Sequence, residues 1–186
     1  SYRLEVQKGL DLIREVMEYI LQEYKIQLIV NGDGEASYKT FMRKLYEDYP
    51  DQVGLNLNAN FTLPRHIFSG ADMILLPSKF EPCGMVQMEA MRYGCVPIAR
   101  AVGGLADTVI DGQTGFTFKG FNSLALFGAI VRALESYKDP KKWKSLVTNS
   151  MRQDFSWTFS AKKYEDLYYR VLDLKKQQQE AKTHQI

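Results

Sequence analysis

Apolar and polar positions alternate along this chain with two periods. From residue 8 to 24, Leu10, Ile13, Met17, Ile20, Leu21 and Tyr24 recur at the 3.6-residue spacing of an amphipathic helix. Ile26-Gln27-Leu28-Ile29-Val30 reads as a buried strand, closed by the turn signal Asn31-Gly32-Asp33-Gly34. Ser37 to Tyr49 is a polar helix with Phe41, Leu45 and Tyr49 on one face, ended at Pro50. Val53 to Leu57 is a short alternating strand, and Leu63 to Ala71 a short helix with Pro64 in its first turn. Asp72 to Pro77 is an apolar run of strand length, and Met85 to Tyr93 a helix stopped by Gly94. Cys95 to Ala99 is the next strand. Val102-Gly103-Gly104-Leu105 is a tight loop leading into Ala106 to Ile110, and Phe116 to Phe118 is a small strand. Helices over Leu124–Tyr137, Pro140–Met151 and Ser160–Leu174 follow, and the polar stretch from Lys175 to Ile186 is expected to fray.

Strands and helices therefore alternate through short connections. That order predicts an α/β fold: a Rossmann-like doubly wound parallel sheet with helices on both faces and right-handed crossovers. Residues 1–174 read as one domain and residues 175–186 as a tail. No internal repeat or linker divides the chain.

Composition narrows the function. A hydrophobic fraction of 45% supports a core, and a net charge of +2 gives no nucleic-acid footprint. The longest apolar runs, such as Met73 to Pro77, are too short to span a bilayer, so no membrane partner is expected. Two cysteines, Cys83 and Cys95, do not make a disulfide scaffold, and a reducing, intracellular setting is the economical reading. His66 and His184 are isolated and the cysteines lie on either side of a helix, so no metal is expected.

The chemistry-bearing stretch is Ser78-Lys79-Phe80-Glu81-Pro82-Cys83-Gly84-Met85-Val86-Gln87-Met88-Glu89. A strand ends before it and a helix begins within it, at the sheet edge where ligands of open α/β folds bind. The helix start offers unpaired amides to a phosphate, and Glu81 and Glu89 offer acceptors to sugar hydroxyls. Phosphate and sugar together suggest a nucleotide sugar; the alternative is a strand–turn–helix unit with a surface Glu at each end. Arg3 and Lys8 stand at or before the start of the first helix, where the dipole prefers anions. Either they are a solvated pair, or a bound diphosphate supplies the missing negative charge.

Lys79-Phe80-Glu81-Pro82-Cys83-Gly84 with Glu89, followed by Gly103-Gly104-Leu105-Ala106-Asp107-Thr108-Val109, resembles the C-terminal domain of bacterial and plant glycogen or starch synthases, which are retaining glycosyltransferases of the two-domain GT-B fold. Arg3 with Gln7-Lys8-Gly9-Leu10-Asp11 is similar to the opening of the same domain, and the resemblance covers nearly the whole chain. It implies that Arg3 and Lys8 neutralise the donor diphosphate, and that Glu81 holds the hydroxyls of the transferred glucose with Cys83 beside it. It further implies that the amides around Gly84, Met85 and Val86 receive the distal phosphate and that Glu89 binds ribose hydroxyls. The donor would be ADP-glucose and the acceptor an α-1,4-glucan. No cofactor is implied, and the setting would be cytoplasmic in a bacterium or the plastid stroma in a plant.

The chain departs from that family in two places. Where members place an adenine-stacking Tyr about twenty-two residues before the first Glu, this chain has Ala59, with Phe61 nearby. The family's N-terminal domain, with its Lys-Thr-Gly-Gly-Leu motif and most of the acceptor site, has no counterpart here, nor has the first apolar strand expected before Arg3. The resemblance therefore implies an excised or incomplete domain, unable to elongate glucan alone. A glycosyltransferase of other nucleotide-sugar specificity and a non-catalytic nucleotide- or glucan-binding module are the alternatives.

Overall fold

The computed structural model describes residues 2–58 and 63–183. Six strands and eight helices alternate along them. They are β1 (Tyr2–Leu4), α1 (Leu10–Glu23), β2 (Leu28–Gly34), α2 (Ala36–Asp48), β3 (Val53–Asn56), α3 (Leu63–Gly70) and β4 (Met73–Leu76), then α4 (Val86–Arg92), β5 (Val96–Arg100), α5 (Gly104–Thr108), β6 (Phe116–Phe118), α6 (Ser123–Tyr137), α7 (Pro140–Met151) and α8 (Trp157–Thr183). All strand pairs are parallel, as the alternation of strand and helix required. The expected single sheet is instead two three-stranded ones, β1-β2-β3 and β4-β5-β6.

Local chemistry explains the element ends. Asn122 Oδ1 accepts from the Ala125 amide and opens α6. Asp139 Oδ1 does the same for the Lys141 and Lys142 amides, with Pro140 behind it at a position where a missing N–H costs nothing. Met17, Ile20 and Leu21 of α1 are buried against Val30, Tyr38 and Met42 in the main core, which also takes in Val96, Ile98, Leu126 and Ala133. Tyr38 donates to Asp11 at 2.8 Å; burial, and then this bond, push its hydroxyl up to about 12.

Three boundaries differ from expectation. β2 runs on through Asn31–Gly34, because β1 pairs there, Tyr2 opposite Gly32 and Leu4 opposite Gly34; a turn signal is overridden by a strand partner. The first helix does not begin at residue 8. A 3-10 turn, Val6–Lys8, is followed by Gly9 at φ 74°, and α1 starts at Leu10. The last helix does not stop at Leu174 but reaches Thr183, since Lys, Gln, Glu and Ala are good helix formers even where nothing apolar recurs. The described chain divides into two compact units, Ser1–Arg152 and Gln153–Ile186. The second is essentially α8, which exposes Trp157, Tyr164, Leu167, Tyr168, Val171 and Leu172. Among the described residues no helix is long and apolar enough to cross a membrane.

Candidate functional site

The site is assembled where two strands of different half-sheets end. Lys8 follows β1 in the 3-10 turn, and Glu81 follows β4. Their side chains meet, Lys8 Nζ to Glu81 Oε2 at 2.7 Å, although 73 residues separate them in sequence. Both groups are largely covered, at 21% and 13% side-chain exposure. The backbone holds this approach from both sides. The Lys79 amide donates to the Gln7 carbonyl at 2.8 Å, and Gln7 Nε2 donates to the Phe80 carbonyl at 3.3 Å. A Cβ on Gly9 would stand 2.0 Å from the Pro77 carbonyl oxygen, and the residue's φ of +74° is one that a side chain rarely tolerates. Only glycine lets the two segments close on each other here.

Glu81 Oε2 also accepts from Ser78 Oγ at 3.2 Å. One carboxylate oxygen is thus occupied and the other remains an acceptor, while the ammonium keeps donors beyond the one spent on Glu81. The pair can therefore serve a ligand carrying hydroxyls on one side and negative charge on the other.

The loop between β4 and α4 is clamped from behind. The Gly104 amide donates to the carbonyls of Glu81 and Pro82, both at 3.2 Å. A Cβ at Gly103 would lie 1.9 Å from the Glu81 carbonyl oxygen, and one at Gly104 would lie 2.1 Å from that of Cys83. The double glycine is there so that two backbones can touch. Gln87, fully buried, donates through Nε2 to the carbonyls of Cys83 and Gly84 and to Thr108 Oγ1. Thr108 in turn donates to the Gly104 carbonyl at 2.6 Å. From the end of β5, Arg100 donates to the Ser78, Lys79 and Lys119 carbonyls, with its guanidinium over the Phe121 ring.

Sequence reasoning missed Arg100, and gave no role to Ser78 and Gln87 within the stretch that it singled out. A Gln on the buried side of α4 and a cation closing a buried strand were the available signals. Of the residues it named, the structure brings Lys8 and Glu81 into contact. Cys83 is an exposed free thiol whose Sγ lies 3.7 Å from the Gly84 carbonyl. Gly84 and Val86 are half-buried, Met85 is exposed, and Glu89 is exposed in the first turn of α4. Arg3 lines a hollow of about 540 Å³ with Glu5, Asp33, Gly34, Glu35 and Lys39. There Lys39 donates to Asp33 at 2.8 Å and holds its carboxyl below the usual range. Ala59 and Phe61, the positions weighed for base stacking, lie outside the described residues. Among the described residues no group of three His, Cys, Asp or Glu side chains could hold a metal ion.

The family model for glycosyl transferases group 1 matches residues 1–149. The chain is 45% identical over 177 residues to the glycogen synthase of Thermotoga petrophila, covering 91% of this chain and 36% of that protein. Among solved structures it is similar to the catalytic domain of starch synthase IV from Arabidopsis thaliana bound to ADP and acarbose, at 37% identity and a TM-score of 0.80, over 92% of this chain and 37% of that one. The C-terminal domain of a glycosyl transferase group 1 family protein from Francisella tularensis shares the fold at 18% identity and a TM-score of 0.66, over 80% of this chain and 78% of that one. The chain thus spans about a third of the length of the curated relatives it matches.

Proposed function

The chain belongs to the glycosyl transferases group 1 family, and from that premise we propose that it is the donor-binding part of a retaining ADP-glucose:α-1,4-glucan glucosyltransferase of the glycogen and starch synthase type. The observation that carries this reading is the Lys8–Glu81 pair at 2.7 Å, at the carboxyl ends of two parallel strands. The relatives named glycogen synthase and the starch synthase structure with bound ADP support the choice of donor.

In this reading Lys8 carries the diphosphate and Arg3 joins it, the two neutralising the leaving ADP. Negative charge accumulates on that diphosphate as the glycosidic bond to it breaks, and a positioned ammonium stabilises the charge without reorganising. Glu81 accepts hydrogen bonds from the hydroxyls of the transferred glucose through its unoccupied oxygen. Cys83 sits beside that glucose, the amides of Gly84, Met85 and Val86 take the distal phosphate, and Glu89 takes the ribose hydroxyls. The α-1,4-glucan acceptor belongs to a second domain, so this chain alone binds nucleotide but does not elongate glucan.

Alkylation of the two thiols tests the placement. Cys95 is buried, which pushes its thiol up to about 12, whereas Cys83 is exposed. Reactivity follows thiolate character and access, so Cys83 should be modified first and saturating ADP-glucose should slow it at least about tenfold. Prior modification of Cys95, or a Cys83 rate indifferent to ADP-glucose, contradicts the proposal.

A further inference from the structure

Glu81 Oε2 has two donors of different kinds. Lys8 Nζ, at 2.7 Å, comes from the 3-10 turn after β1, carries charge and keeps further protons for a ligand. Ser78 Oγ, at 3.2 Å, comes from the same loop as Glu81, three residues before it. The two also differ in access. Lys8 keeps 21% of its side chain in solvent, whereas Ser78 is buried at 0% exposure. Among the described residues the Ser78 hydroxyl has Glu81 alone to donate to, and a buried hydroxyl without an acceptor is costly.

The backbone on which Ser78 stands is fixed on both sides. Pro77 before it is buried, its ring locks φ, and its carbonyl lies against Gly9. Arg100 Nη1 donates to the carbonyls of Ser78 at 3.3 Å and of Lys79 at 2.8 Å, and the Lys79 amide donates to the Gln7 carbonyl. The terminal torsion of a glutamate is broad and roughly two-fold, so a carboxylate held by one flexible ammonium can exchange its oxygens. A second donor from the rigid side removes that freedom. Oε2 is held by Ser78 and Lys8 together, and Oε1 is left to the ligand.

We propose that Ser78 is a positioning residue for the carboxylate of Glu81. The inference rests on the reading in which Glu81 holds the glucose hydroxyls and Lys8 the diphosphate. A phosphate draws the Lys8 ammonium towards itself. Ser78 has no such second duty, and it keeps Oε2 in place while Lys8 turns to the phosphate. Ser78 therefore acts on the sugar half of the donor, and only through Glu81.

Calorimetric titration of ADP-glucose and of ADP into the chain, Ser78→Ala, Glu81→Ala and the double variant tests this. The readout is the ratio of the two affinities, which a general loosening of the fold does not move. Ser78→Ala should weaken ADP-glucose about tenfold and leave ADP within about twofold of the parent, since one hydrogen bond to a charged group is lost. Glu81→Ala should shift the ratio at least as far. Adding Ser78→Ala to it should shift the ratio no further, because a residue that acts through another then has nothing to act on. Should Ser78→Ala not fold, Ser78→Cys, close in size and only a weak donor, takes its place with about a threefold loss of ADP-glucose affinity. Equal weakening of both ligands at Ser78, no weakening of either, or a further shift in the double variant overturns the proposal. A ratio moved by Glu81→Ala but not by Ser78→Ala overturns it alone. A ratio that Glu81→Ala leaves unchanged overturns the sugar assignment of Glu81 as well.

Discussion

The two half-sheets bring opposite kinds of support to one site. The β4-β5-β6 half carries Glu81 on a loop with no freedom: Gly103 and Gly104 press on its backbone, Gln87 and Thr108 tie it to two helices, and Arg100 fixes its first carbonyls. Val96, Ile98 and Ala99 beneath it are at most 1% exposed. The β1-β2-β3 half carries Lys8 on the continuation of a strand of three residues that, among the described residues, pairs with β2 alone. The carboxylate is thus preorganised by the core, whereas the cation is held by its partner and by a few backbone bonds. A site built this way keeps its carboxylate side fixed and holds its ammonium side by fewer bonds.

The largest way to break this contrast is Gly103→Ala. The new Cβ meets a backbone carbonyl at 1.9 Å and the residue's φ is +48°, and nothing in the packed half can move aside cheaply. We expect a cost of about 3 kcal/mol or more, a fall in Tm of roughly 6–12 °C. Gly9→Ala makes a collision of the same severity with Pro77, at 2.0 Å, but β1 can yield. We expect about 1–2 kcal/mol, and therefore roughly one to two thirds of that loss in Tm. Equal losses in parallel thermal melts would show that the two halves are equally constrained.

A smaller effect separates the acids of the two halves. Asp111 Oδ1 accepts from the Thr117 amide at 2.6 Å, and Arg132 grips the carboxylate with two nitrogens. Burial pushes its carboxyl up, but the Arg132 and Thr117 bonds outweigh this and hold it below the usual range. A folded pKa below the unfolded one means stability present above the unfolded value and lost as pH falls through the folded one. Asp111→Asn should therefore lower Tm at neutral pH, and the gap to the parent should close as the pH falls below the ordinary carboxylate range. Asp33, also depressed by its bond to Lys39, is an exposed carboxylate. Asp33→Asn should change Tm less at every pH. A gap for Asp111→Asn that persists in acid would contradict the sign of its shift.

Much of this was legible in the residues. Phe116–Phe118 and Pro140–Met151 fall where their patterns placed them, because a β-branched and aromatic run and an Asp-Pro start are local signals. Lys8 and Glu81 were both legible as candidates from a helix start and a turn, but not as partners, since pairing across 73 residues is a property of topology. The same holds for Asn31–Gly34, a turn in sequence and a strand in space. Gly103 and Gly104 were legible as a tight loop; that they exist to admit the backbone of Glu81 and Cys83 was not. Arg3 was legible as a candidate beside Lys8; that it lines a hollow with Asp33 and Lys39 was not, since that depends on how β1 pairs with β2.

Calorimetric titration of ADP and of adenosine into the chain, and into Arg3→Ala with Lys8→Ala, tests the central claim most directly. Charge-assisted bonds to phosphate are each worth about 1.5–3 kcal/mol. The account predicts that the double substitution weakens ADP at least about thirtyfold and leaves adenosine within about threefold of the parent. Equal weakening of both ligands, or ADP bound as tightly as before, would contradict it.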